Sequence, residues 1–126
     1  MKALYIPTAL LAAILAFSLG AEGFIQGRSR EWVELLDAAD TMAQDENWAG
    51  AGARLRQVRE GWDRTDAFFH TVLDHRELDE ARSLLAGTTA ACREQDNEDF
   101  HILLAQLKVH LQLMAETQAV SVKNIL

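Results

Sequence analysis

From Glu31 onward the apolar residues of this chain recur at helical spacing. Trp32, Leu36, Ala39 and Ala43 step by four, three and four, and Val33, Leu35 and Met42 widen the stripe. A stripe of this kind commits one helix face to a core. Asp45-Glu46-Asn47 breaks the pattern, and Asn47 suits the cap of a following helix because its side-chain oxygen accepts from an otherwise unpaired amide. Trp48, Ala51, Leu55, Val58, Trp62, Thr65, Phe69 and Val72 then alternate steps of three and four, which predicts a long helix with all eight on one face. On its other face Arg56 with Glu60, Arg59 with Asp63, and Glu60 with Arg64 stand four apart, the spacing at which ion pairs support a helix. Gly50, Gly52 and Gly61 work against that helix, so packing must outweigh propensity.

The pattern resets around Asp74-His75-Arg76. Leu78, Ala81, Leu85, Thr88 and Cys92 form a third stripe, opened by Glu77, Asp79 and Glu80 where acids suit a helix N-terminus. Asp96 or Asn97 caps the last helix, with Glu98 and Asp99 in its first turn. Its main stripe is Phe100, Leu103, Leu107, Leu111 and Met114; Ile102, Leu104, Val109 and Leu113 widen the apolar arc, so this helix is expected to be the most buried. The tail Ser121-Val122-Lys123-Asn124-Ile125-Leu126 is too short for a further element, and nothing reads as a strand pair. Short turns favour adjacent helices packing antiparallel.

Ahead of these stripes, 19 uncharged residues separate Lys2 from Glu22. As a helix they span about 28 Å, close to the hydrocarbon thickness of a bilayer. The run is apolar all round, and Pro7 falls in its first turns, where a missing amide costs least. An uncleaved anchor is the favoured reading. A cleaved signal peptide competes, with Lys2 as its positive region and Ser18-Leu19-Gly20 supplying small residues for a peptidase; a buried helix of a soluble protein is the remaining alternative. The expected organisation is therefore all-α: a signal-anchor transmembrane helix over residues 1–21, then an antiparallel four-helix up-down bundle over residues 22–126. Gly20, Gly23 and Gly27 make the junction either a hinge or a continuing helix. Lys2 on one side and Arg28 and Arg30 on the other hardly decide orientation. A short leader before an acidic domain favours a single-pass cell-membrane protein with an extracytoplasmic bundle.

Composition narrows the function. The chain has 126 residues, 12 Lys and Arg against 19 Asp and Glu, and a net charge of −7. That length suits one domain, and the acidic balance repels phosphate, so no nucleic-acid partner is expected. The single cysteine, Cys92, excludes an internal disulfide and any cysteine-built zinc site.

Candidate chemistry is sparse. Glu98-x-x-His101 has the spacing of carboxylate-bridged di-iron bundles, but such a site needs a second Glu-x-x-His and two further inward glutamates, and no second copy exists. Asp66, His70 and Asp74 fall four apart, and His75 with Asp79 repeats that spacing; carboxylate beside imidazole can orient a base or complete a metal site. A structural role is favoured, with His75 at a helix junction paired to Asp79 or to backbone amides. Cys92 lies on an apolar stripe as a small hydrophobe. Trp32, Trp48 and Trp62 read as core, and His110 suggests nothing. No phosphate loop, Gly-x-Ser-x-Gly elbow or His-Glu-x-x-His pair is present, and neither a cofactor nor a resident metal is expected.

Trp48 opening a helix, the stretch Phe69-His70-Thr71-Val72-Leu73-Asp74-His75 with Glu77-Leu78-Asp79 behind it, and the ending Val120-Ser121-Val122-Lys123-Asn124-Ile125-Leu126 carry a resemblance. Together with the leader, they make the chain resemble the domain of unknown function 4363 family of small membrane-anchored bacterial proteins over essentially its whole length. The resemblance implies an anchored helical protein, suits an accessory role beside a multi-pass membrane protein, and supplies no catalytic residues. Ala39, Trp48, Ala51 and Leu55 also echo a tetratricopeptide helix pair, but a solenoid needs at least three such units. The expected function is a non-enzymatic accessory or interaction module for a membrane or envelope partner. His70, Asp74, His75 and Asp79 form the candidate interaction or structural site, and Asn124, Ile125 and Leu126 the favoured contact element. The alternatives are a metal- or histidine-dependent enzyme centred on His70, Asp74, His75 and Asp79, and a ligand sensor with a cavity between helices. Pairing of stripes between chains leaves a homodimer open.

Overall fold

The structure is a computed structural model that describes the backbone of residues 2–125 and the side chains of residues 4–116, apart from Glu22 and Val72. Among the described residues it is all helix, without a strand: α1 (Lys2–Gln44), α2 (Trp48–Val72), α3 (His75–Arg93) and α4 (Asn97–Ile125). The helices form a bundle in which α1 packs on α2 and α4, α3 packs on the same two helices, and α2 with α3 is the loosest of these interfaces. The core draws on the stripes: Trp32 and Leu36 of α1, Leu55 and Phe69 of α2, Leu78 of α3, and Phe100 and Leu107 of α4 are each at most 2 % exposed. At its centre Trp32, Trp62 and Phe69 form a mutual aromatic cluster with ring centroids 5.3–5.6 Å apart.

The helix count differs from the expected anchor plus four. The segment expected to be an anchor and the first bundle helix are one unbroken helix, α1, which passes through Gly20, Gly23 and Gly27. Beside each of these glycines the space is open, so they serve no close approach. Helix persists here because neighbouring residues are held: Ala21 and Ile25 are buried, and the Ser29 hydroxyl donates to the Leu111 carbonyl at 3.0 Å. Over its N-terminal part α1 is long and apolar enough to cross a membrane, and little of that stretch is buried.

Two turns at the same end of the bundle share one construction. Glu46 and Gln95 occupy the left-handed region, at φ 61° and 57°. The next amides reach back, Asn47 to the Met42 carbonyl and Asp96 to the Ala91 carbonyl, at 2.8 and 2.9 Å. These bonds satisfy the last carbonyls of α1 and α3. Asn47 and Asp96 then cap the next helices, accepting from the amides of Gly50 and Asp99. The turn between α2 and α3 is shorter; there Asp74 caps α3 by accepting from the Arg76 amide at 3.0 Å.

Two further expectations fail. The pairs Arg56–Glu60, Arg59–Asp63 and Glu60–Arg64 are not formed among the described residues, since an exposed pair gains a few tenths of a kcal/mol at most against the entropy of ordering two long side chains. In α4, Ile102, Val109 and Leu113 are about half exposed, because α1 and α3 together cover only part of its apolar arc. The tail over residues 121–125 forms no further element, as expected, and continues α4.

Candidate functional site

The α2–α3 junction gathers most of the residues singled out by spacing, though not in the expected pairs. His75 does not pair with Asp79. Its Nδ1 stands 3.0 Å from Nδ1 of His70, because the Asp74 cap turns the first residue of α3 back over the last turns of α2. His70 Nε2 in turn faces Asp66 Oδ2 at 3.4 Å. Neutral His70 with its proton on Nε2, toward Asp66, leaves Nδ1 free to accept from His75 Nδ1–H. Asp66 Oδ1 is buried without a hydrogen bond, 3.9 Å from an Arg82 guanidinium nitrogen. Asp74 is occupied as a cap, and Asp79 is exposed without a partner among the described residues. The junction thus brings together His70, His75, Asp66 and Arg82. Among the described residues, no group of three or more His, Cys, Asp or Glu side chains is arranged to hold a metal ion.

The other histidines tie helices together. His101 is not free at a helix start: its Nδ1 meets Asp40 of α1 at 2.8 Å. His110 Nε2–H donates to the Glu77 carbonyl of α3 at 2.8 Å, a contact that spacing gave no reason to expect. Lys108 pairs with Asp37 of α1. Among the described residues Glu98 makes no contact that would extend Glu98-x-x-His101 into a ligand set. Cys92 is buried, its thiol directed at the Trp48 carbonyl at 3.5 Å, and burial pushes the thiol pKa up.

Among the described residues two apolar surfaces remain uncovered. One begins on α1, where Leu4, Tyr5, Ile6, Leu10, Leu11, Ile14, Phe17 and Leu19 are between 49 and 75 % exposed. It continues into a groove of about 400 Å³ lined by Phe17, Phe24, Arg64 and Phe68, where Phe24 and Phe68 meet edge to face at 5.0 Å. The second is the Ile102, Val109 and Leu113 stripe of α4. Asn124 and Ile125 extend α4, but their side chains, and Leu126 entirely, lie outside the described residues. At the opposite end a cavity of about 620 Å³ opens between the two like turns, lined by Glu46, Asn47, Trp48 and Gln95 among others.

Sequence periodicity located the histidines but not their partners, which depend on how one turn folds back. The groove around Phe68 was invisible for a similar reason: Phe68 lies off the stripe of α2 and meets Phe24 only because α1 continues unbroken. No curated protein and no solved structure matches the chain. Its sequence matches the profile of a domain of unknown function, DUF4363, over residues 24–125, and the chain belongs to that family.

Proposed function

We propose that this is a single-pass membrane protein, anchored by the N-terminal part of α1, whose helical domain serves as a non-enzymatic accessory or interaction module for a membrane or envelope partner. The observation that carries the reading is the run of large apolar side chains from Leu4 to Leu19, exposed on a helix that continues without a break into the bundle core. Uncovered apolar surface of that extent is a site for lipid or protein. The domain is an antiparallel up-down bundle, as supported by Phe24 meeting Phe68, Trp32 meeting Trp62, and Asp40 meeting His101 while Ser29 meets Leu111. Its place is extracytoplasmic, and the partner meets the Ile102, Val109 and Leu113 stripe together with the Asn124-Ile125-Leu126 end.

Affinity purification from the native host after in-cell cross-linking, with the tag away from the C-terminus, tests the partner. A near-stoichiometric membrane protein is expected, lost on Val109→Glu with Leu113→Glu; recovery of the chain alone would count against the module. Alkaline carbonate washing should leave the chain in membranes. An impermeant maleimide should label Ser83→Cys, in a Cys92→Ala background, on intact cells; labelling only after lysis would reverse the orientation.

The His70–His75 contact favours one second reading, a histidine-dependent activity at the α2–α3 junction. Metal analysis of the purified chain, compared with His70→Ala and His75→Ala, addresses it directly.

A further inference from the structure

On a chain of net charge −7, four of the nine arginines line one trough. It lies between α2 and α3, along the loosest interface of the bundle. One half, about 450 Å³, has Arg56 and Trp48 on its walls. The other, about 280 Å³, has Arg82 and Trp62. Arg59, Thr89 and Arg93 line both halves, which makes them continuous.

Three of these four guanidiniums do not serve the fold's own acids. Among the described residues Arg56, Arg59 and Arg93 have no ion pair, although Glu60 and Asp63 stand four positions beyond Arg56 and Arg59 on the same helix. Arg82 has only the 3.9 Å approach to Asp66. Among the described residues Asp63 is the one carboxylate that lines the trough. The dipole of α3 accounts for a cation in its last turn, where Arg93 sits, but not for the other three. Gathering like charges raises the energy of the free molecule, and an anion along the trough relieves it. All four residues are arginine rather than lysine, and the guanidinium fork matches phosphate oxygens two at a time. The trough is also elongated. Arg82 and Arg93 lie three turns apart on α3, about 16 Å along the axis, several times the reach of a single phosphate contact.

We propose that the α2–α3 trough binds a linear chain of phosphate groups, laid along the groove with its oxygens on Arg56, Arg59, Arg82 and Arg93. The assignment stands apart from the anchor and from the apolar partner stripe. It locates a phosphate-binding surface on a domain whose overall charge argues against one.

The full chain in a neutral detergent, titrated with linear polyphosphate, provides the test, because Trp48 and Trp62 in the trough walls report binding by their fluorescence. A saturable change is expected, weakening steeply as salt rises. Arg59→Gln with Arg93→Gln should lower affinity about tenfold or more, whereas the same loss of charge at exposed Arg30 and Arg76 should change it by about threefold at most. Poly(glycerol phosphate) should compete, and inorganic phosphate at equal phosphate concentration should not. No saturable change at low salt would overturn the proposal, as would an equal effect from the Arg30 and Arg76 pair. Poly-glutamate binding as tightly as polyphosphate would overturn the phosphate assignment. All four substitutions are at exposed positions, and circular dichroism of each variant checks that it is folded.

Discussion

A Cβ on Gly61 would stand 2.8 Å from Nε1 of Trp32, an indole only 2 % exposed at the centre of the core. Gly61→Ala therefore has to displace a packed ring, and a loss of about 1–3 kcal/mol is expected. Gly27, in the same kind of helix, has open space beside it, and Gly27→Ala should gain up to about 1 kcal/mol from helix propensity alone. Melting of the two variants in one detergent, followed by circular dichroism, separates the cases; shifts of the same sign would contradict the packing. Cys92 gives a pH signature. Burial raises its pKa above the ordinary 9.0, so as pH climbs past that value the unfolded thiol ionises first and the folded state loses stability. The contribution is intact below 9.0 and falls away above it. Cys92→Ala should flatten the alkaline decline in melting temperature, and an unchanged slope would show that other groups set it. Stripe positions made the burial of Cys92 and Trp32 legible in the sequence. The close approach at Gly61 was not, because it depends on a ring supplied by another helix.

At the scale of elements, the two like turns lack the residue that ordinarily announces them. Glu46 and Gln95 hold left-handed backbone conformations that cost a side-chain-bearing residue about 1 kcal/mol or more relative to glycine. Glu46→Gly and Gln95→Gly should each raise stability by about 1 kcal/mol, and together by their sum, since they cap different helices. Thermal melts of the single and double variants check this, and a loss in either would mean that its side chain does more than tolerate the turn. The break at Asp45-Glu46-Asn47 was readable from the interrupted stripe and from the Asn47 cap. That α1 would not also break at its three glycines was not readable, because Ile25 and Ser29 hold it through contacts with the bundle. The wide apolar arc of α4 made a helix evident, but left open which part of the arc its neighbours would miss.

For the whole molecule, the exposed segment from Leu4 to Leu19 and the packed bundle are two environments on one continuous rod. Deleting residues 1–19 should leave the melting temperature of the domain nearly unchanged and remove its need for detergent; a large drop would mean that the segment supports the bundle. The fold class and the acidic, helical character of the domain were legible from periodicity and composition. The trough of arginines was not, since it joins arginines of α2 that are spaced for ion pairs to Arg82 and Arg93 of α3, which no spacing singles out. The unbroken α1 also has a mechanical consequence. From Ala21 to Gln44 it runs about 36 Å, so if its lower part sits in a bilayer, as proposed, an ordinary tilt of about 20° would swing the turn at Glu46 sideways by roughly 12 Å. A rod without a hinge cannot absorb that angle locally. The thickness of the surrounding lipid would then set how far, and in which direction, the distal end of the bundle leans.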